Sequence, residues 1–413
     1  MKAAEARDVG RAAGTTLRQV TGTIRGVHGL VSDTAYAAVT ATLGPVAKPV
    51  KALSDVIAAT AYGATGLGLE AAARIGGLAA AVHLGRQGDV GHSVHDGRGA
   101  HLALAASVGL RGDSFAETAR SLAPDMQVRA GRRRVELTDD GLAEAFPDAT
   151  PDVAVYLHGL CQSESSWGLG AGDGPTHPER LRVELGLTPV LIRYNTGLRV
   201  SHNGAALDAL LEQLVSAWPL PVRRLVLVGF SMGGLVVHSG LVAPEPAGGP
   251  RAWRPLVSDT VTIGTPHHGS PMARGAQRAV ERLAVGVNGR RATDLVRQRS
   301  VGIKDLTHGN ITDADWHDHD PDDGRDHRTH PTGPDGIRHH AIVGVLARRV
   351  DSAVASRVGD ILVPPSSAAH AALDAIPSRF IEERTAVVTG VHHLGLLGHA
   401  EVHGHLHRWL SEG

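Results

Sequence analysis

Residues 223–240 read RRLVLVGFSMGGLVVHSG, and this stretch decides the fold. Leu225 to Val228 form a short, uninterrupted apolar run of the kind that makes a strand buried on both faces. A helical stretch begins near Gly234. Between the two lies Gly229-Phe230-Ser231-Met232-Gly233, a sharp strand-to-helix turn that sets the Ser231 side chain at the carboxyl end of the strand. The glycines are needed there because side chains at those positions would collide with neighbouring backbone. With 51 glycines in 413 residues, about a third of an occurrence of this pattern is expected by chance, so its placement between strand and helix carries the weight.

Outward from the turn, apolar strand runs alternate with helical stretches. The strands are DVAVYLHG (152–159), TPVLIRYN (188–195), DTVTIGT (259–265), HHAIVGVL (339–346) and TAVVTGV (385–391); the helices include GAALDALLEQLVSAW (204–218) and GGLVVHSGLVA (233–243). MQVRAGRRRVELT (126–138) alternates about Ala130-Gly131 and reads as a β-hairpin. This order predicts an α/β domain, a mostly parallel sheet covered by helices on both faces. Upstream, 1–120 is rich in Ala, Gly and Thr with apolar residues at helical spacing, and reads as an N-terminal helical region whose role composition does not specify. The expected catalytic domain is 121–413, with an insertion at 270–335 that carries the amphipathic stretch ARGAQRAVERLAVGV and reads equally as a lid over the active-site face or as a packing helix.

Bulk composition narrows the function classes. Basic side chains number 41 and acidic ones 42, which removes the whole-molecule field that gathers nucleic acid. The single cysteine, Cys161, can form no intramolecular disulfide and no Cys-based zinc site. No secretory h-region and no run of about 18 apolar residues is present. The expectation is a soluble, cytoplasmic protein whose N-terminal region is a candidate for peripheral membrane contact; no pattern sets an oligomeric state. The tract DADWHDHDPDDGRDHRTH (313–330) holds residue types that bind metals, without diagnostic spacing, and reads as a solvated acidic loop.

A serine nucleophile needs donors for an oxyanion, a base, and a group that orients the base. One donor is the backbone N–H after the serine, Met232. A second comes from the loop after an earlier strand, where His158-Gly159 precedes Leu160; His158 itself reads as a brace for that loop. Asp360, past the strand at 339–346, can aim a carboxylate at the active face, with Asp351 as the substitute. The base is sought after the last strand, where His393 is favoured over His392; His403 and His407 read as surface residues of the final helix. Neither a metal nor an organic cofactor is required.

Six stretches in this order, VYLHGLCQSESSW, RYNTGLRVSHNG, LVGFSMGGLV, IGTPHHGSP, GDILVPPSSA and HHLGLLGH, resemble those of bacterial esterases and lipases related to the GPI inositol-deacylase-like branch of the α/β-hydrolase superfamily. The resemblance runs from about Asp125 to the C-terminus. It implies an α/β-hydrolase fold, Ser231, Asp360 and His393 as a triad, Leu160 and Met232 as oxyanion donors, and a small-molecule or lipid ester as substrate. Thioesters, amides and polyesters are open to the same triad, and a non-catalytic binding scaffold is the rival reading. Phe230 stands where the family often has His, and Gly395 where it often has Asp.

Overall fold

The apolar runs pair as a single sheet. The computed structural model describes residues 100–131, 133–247, 249–270, 299–320, 325–329, 333–347 and 384–412, together with Glu5, His95, Pro331, Asp360, 362–363 and 365–368. The strands are β1 (Gln127–Ala130), β2 (Arg133–Arg134), β3 (Asp152–Leu157), β4 (Thr188–Arg193), β5 (Arg224–Phe230), β6 (Val257–Ile263), β7 (Arg338–Val345) and β8 (Thr385–Thr389). Their order is β2-β1-β4-β3-β5-β6-β7-β8. From β4 to β8 neighbouring strands run parallel. The hairpin β1-β2, turning at Gly131 with φ 57°, adds antiparallel pairs at one edge.

Helices are α1 (Ala100–Thr118), α2 (Asp139–Ala145), α3 (His177–Leu185), α4 (Val200–Ser216), α5 (Met232–Leu241), α6 (Val301–Asp305), α7 (Pro365–Ala368) and α8 (Ala400–Leu410). Local chemistry fixes their ends. In α3, Thr176 and Glu179 form a reciprocal capping box, Pro178 sits in the first turn, and Gly186 closes the helix at φ 70°. Strand alternation then sorts the core into two layers. Val153, Val155 and Leu157 of β3 pack with Leu207 and Leu211 of α4 and Leu235 of α5 on one face. Ala154 and Tyr156 pack with Leu181 of α3 and Leu406 of α8 on the other. The protein has the α/β-hydrolase fold, with its parallel strands ending along one carboxyl edge.

At the opposite edge a buried charge cluster ties four elements together. Asp259 of β6 accepts from Arg224 of β5 at 2.9 Å, from Arg338 of β7 at 2.7 and 2.8 Å, and from Ser258 at 2.7 Å, and it bonds His340 at 3.0 Å. His340 in turn stacks on Trp409 of α8 at 4.8 Å. Burial works to raise the Asp259 pKa, and the bonds from His340, Arg338, Ser258 and Arg224 outweigh it, holding the carboxyl well below the usual carboxylate range.

One expectation is corrected. His403 is buried, stacked on His177 at 5.7 Å and hydrogen-bonded through Nε2 to Glu184 at 2.7 Å. It lies three and seven residues before Leu406 and Leu410, hence on the inward stripe of α8. His407, on the other side, is exposed. Of the N-terminal helical region Glu5, His95 and 100–120, which holds α1, are among the described residues; the amphipathic stretch of the insertion and Asp351 lie outside them. Among the described residues no helix is long and apolar enough to cross a membrane.

Asp259→Asn removes the charge that Arg224 and Arg338 share and is expected to cost about 3–5 kcal/mol, as when one partner of a buried pair is lost. Urea unfolding at neutral pH measures this. Because the folded-state pKa is depressed, the Asp259 contribution is complete above the unfolded value of about 4 and is lost as pH falls below it. The variant is therefore expected to lose less stability than the wild type on acidification from about pH 5 to about pH 2.

Candidate active site

Ser231 sits between β5 and α5 with φ 53° and ψ −123°, a conformation that non-glycine residues adopt only where the surroundings impose it. Those surroundings are backbone. A Cβ built on Gly233 would lie 2.4 Å from the Leu157 carbonyl oxygen, and one on Gly229 would lie 2.4 Å from the Gly234 Cα. The Ser231 N–H donates to the Ile263 carbonyl at 2.8 Å, so the turn is also fastened to the end of β6. Met232 is the first residue of α5, and its N–H is one of the four that helix geometry leaves without an intrahelical acceptor.

Asp360 and His393 are brought together at the same edge. His393 Nδ1 bonds Asp360 Oδ2 at 2.6 Å, and the His393 N–H donates to the Asp360 carbonyl at 3.1 Å. The other carboxylate oxygen, Oδ1, accepts from the N–H groups of Leu362 and Val363 at 3.0 and 2.9 Å. Both residues are buried. Neighbouring glycines make room: a Cβ on Gly344 would meet the Asp360 Cβ at 2.9 Å, and one on Gly264 the His393 Cε1 at 3.0 Å. The imidazole tilts against the Phe230 ring, centroids 4.8 Å apart, so the residue beside the serine walls the histidine. His393 Nε2 is buried and has no hydrogen-bond partner. The Ser231 hydroxyl is therefore not hydrogen-bonded to it. His392 faces outward and caps the next turn through Nδ1, which accepts from the Gly395 N–H.

The loop after β3 closes the other side. A Cβ on Gly159 would touch the Ser231 Cβ at 3.0 Å, which sets Leu160 beside the serine turn. The Gly159 N–H donates to Gln162 Oε1 at 2.8 Å. His158 stacks on Tyr194 at 4.5 Å, and the Tyr194 hydroxyl donates to the His158 carbonyl at 2.6 Å. Burial pushes the His158 pKa down to about 4 against the opposing pull of the Gly159 carbonyl and Glu164, so this ring is neutral near pH 7 and serves as a brace. Burial likewise pushes the Cys161 thiol up to about 12, which leaves it protonated and a poor nucleophile.

Braces absent from the sequence reading come from RYN at the end of β4. Arg193 forms a bidentate pair with the buried Glu164, anchoring the far end of the β3 loop. A charged side chain ending an apolar strand run was the available signal. Within the insertion, Asp305 pairs with Arg199 at 2.6 Å and accepts from the Val200 N–H at 2.9 Å. Burial raises the Asp305 carboxyl to about 6 against those partners. Asp315, from the tract at 313–330, accepts from the N–H groups of Ile311, Thr312 and Thr329, a structural role. Among the described residues no group of three or more His, Cys, Asp or Glu side chains is placed to hold a metal ion. A cavity of about 740 Å³ lies between the end of α1, the β1-β2 hairpin and α4, lined by Met126, Val135, Leu137, Asn203 and Leu210 among others; Ser231 and His393 are not in its wall.

Neither known family models nor curated proteins match the chain. Several solved structures resemble it at low identity. The mature lipase BlEst2 of Bacillus licheniformis is 18% identical, with 64% of this chain and 93% of that one covered and a TM-score of 0.39. For the Staphylococcus hyicus lipase the values are 12%, 64%, 93% and 0.37, and for a metagenomic carboxyl esterase 13%, 63%, 76% and 0.38.

Gly233→Ala is expected to destabilise by about 1–3 kcal/mol, because the new methyl meets strand backbone that cannot turn aside. Gly168→Ala, where a Cβ meets nothing within 4 Å, is expected to stay within about 0.5 kcal/mol of the wild type. Thermal unfolding of the two side by side checks the pair.

Proposed function

We propose that the chain is a serine hydrolase that cleaves carboxylic esters with an apolar acyl part, through an acyl-enzyme on Ser231. The reading is carried by one observation: a buried histidine, His393, commits Nδ1 to the buried Asp360 and keeps Nε2 unbonded, at the edge where the Ser231 turn stands. Asp360 then has both oxygens occupied, one by the imidazole and one by two backbone N–H groups. That arrangement fixes the tautomer with the proton on Nδ1 and leaves Nε2 basic.

In the first step the Ser231 Oγ attacks the ester carbonyl while His393 Nε2 takes its proton, and Asp360 stabilises the imidazolium that results. The carbonyl oxygen becomes an oxyanion held by the N–H groups of Leu160 and Met232. Collapse breaks the bond to the alcohol, which leaves with the proton from Nε2. Water, deprotonated by the same nitrogen, releases the acid in the second step and restores the serine. Phe230 keeps solvent from one face of the imidazole, and the partly buried, apolar side chain of Leu160 suits an acyl group better than a charged one. The six sequence stretches support assignment to the GPI inositol-deacylase-like branch, and the ester class follows from that resemblance.

Hydrolysis of nitrophenyl esters of increasing chain length, set beside an acyl-thioester, tests the reading. Ser231→Ala is expected to abolish turnover and labelling by a fluorophosphonate probe. Asp360→Asn is expected to lower kcat by about 10⁴-fold, since the imidazole is then held in the wrong tautomer. Equal hydrolysis by wild type and Ser231→Ala would place the chemistry elsewhere, and a wild type that the probe leaves unlabelled would favour a binding scaffold.

A further inference from the structure

Helix α1 lies before the first strand, yet its middle is packed against three loops of the carboxyl edge. The helix breaks at Arg111, with φ −142° and ψ 16°. Beside the break the Gly109 carbonyl accepts from Ser300 Oγ at 2.6 Å and the Leu110 carbonyl from the Ser300 N–H at 3.0 Å. Asp113 Oδ2 accepts from the Val301 N–H, at the start of α6, at 3.0 Å. These bonds join α1 to the insertion, where Gly302 in turn packs on the loop after β4: a Cβ there would meet the Thr196 carbonyl oxygen at 2.2 Å and Met232 Cε at 3.0 Å.

Contact with the β3 loop is closer still. A Cβ on Gly109 would lie 2.3 Å from Cys161 Sγ and 2.9 Å from both the N and Cα of Cys161. Cys161 itself is constrained, with φ 60°, an N–H that donates to Thr196 Oγ1 at 3.3 Å and a thiol directed at the Ala106 carbonyl at 3.7 Å. Helix α1 also meets the loop after β4 directly: a Cβ on Gly112 would meet Asn195 Oδ1 at 2.0 Å, and one on Gly197 the Val108 carbonyl oxygen at 2.3 Å. The residue joined to Leu160 by one planar peptide is thus wedged between α1 and the loop after β4. That plane carries the Leu160 Cα, the atom to which the donor nitrogen is bonded, so a displacement of Cys161 reaches the Leu160 N–H across only the φ and ψ of one residue.

We propose that the kinked middle of α1 positions the oxyanion loop, and that Gly109 is a positioning residue for the Leu160 N–H: its missing side chain lets Cys161 seat against the helix. The proposal rests on the serine-hydrolase reading. An N–H displaced by a few tenths of an ångström to 1 Å no longer meets the oxyanion squarely, and errors of that size cost up to about 10²-fold in rate. Ground-state binding of the ester does not use this donor fully, so the loss falls on kcat.

The experiment compares wild type with Gly109→Ala, Cys161→Gly and the double variant. In Gly109→Ala, kcat is expected to fall about 10- to 100-fold with KM within about twofold. Inhibition by a trifluoromethyl ketone, which forms an oxyanion adduct on the serine, is expected to weaken in step with kcat/KM, while an unreactive ether analogue of the substrate binds unchanged. Cys161→Gly suits the positive φ and removes the nearest atom, so alone it is expected to stay near wild type, and in the double variant to recover part of the lost kcat, because the backbone N and Cα at position 161 still lie 2.9 Å from the new Cβ. Ser300→Ala, which loosens α1 without touching Cys161, is expected to lower kcat about 3- to 10-fold and decides the matter if Gly109→Ala does not fold. A folded Gly109→Ala with wild-type kcat, equal weakening of both ligands, or, if Gly109→Ala does not fold, an unaffected Ser300→Ala would overturn the proposal. A wild type lacking Ser231-dependent hydrolysis would overturn the enzyme reading beneath it, a result these variants do not mimic.

Discussion

The turn between β5 and α5 forms because backbone is allowed to pass backbone where no side chain would fit. Gly229 lies against Gly234, Gly233 against the carbonyl oxygens of Leu157 and His158, and Gly234 against the Thr265 side chain. The partners are the first turn of α5 and the ends of the neighbouring strands β3 and β6 with the residues just beyond them. The left-handed Ser231 conformation costs on the order of 1–3 kcal/mol and persists because these contacts over-determine it. The same close approach brings the β3 loop, through Gly159, onto the serine, and makes Gly264 and Gly344 the floor beneath His393 and Asp360. Remove that tolerance at the carboxyl edge and the sheet could still form, without a site.

The two edges of the sheet divide the work. At the amino edge, Asp259 gathers Arg224, Arg338 and His340, so both carboxylate oxygens are held by partners. That cluster fastens β5, β6 and β7 and reaches α8 through the Arg224 bond to the Leu410 carbonyl. At the carboxyl edge His393 Nε2 is among the buried polar atoms left without a partner, as are His158 Nε2 and Thr265 Oγ1. An unsatisfied buried nitrogen carries a cost of about 1–3 kcal/mol. In the proposed mechanism the His393 nitrogen is the one that receives the serine proton, so there the open position and the reactive position coincide.

Much of this was legible locally. Strands β3 to β8 each show an apolar run, the Ala130-Gly131 hairpin shows its alternation, and α4 and α5 fall where the helical stretches were read. These features are settled within a few residues of each other, where sequence spacing maps directly onto a face. The candidate base could be narrowed by the same means, since His392 precedes the final turn and caps it while His393 lies inside it. The burial of His403 is written in the same way, in its three- and seven-residue spacing from Leu406 and Leu410. The supports of the β3 loop were harder to see, because Arg193 and Glu164 are 29 residues apart, and Tyr194 and His158 are 36 apart. No local pattern marks such pairs.

The sequence by itself determined the alternation of strands and helices, the sharp turn at Ser231, the short list of candidate acids and bases, and the absence of a net charge that would draw nucleic acid. Periodicity and the conformational freedom of glycine are local properties, and they are written residue by residue. Only the tertiary structure decided that Asp360 and His393 share a hydrogen bond, that Nε2 is left bare, and that α1, which composition left without a role, packs on the loops around the serine. Each of these depends on which backbones lie within a few ångströms of one another after the sheet has closed, a distance that no one-dimensional spacing encodes.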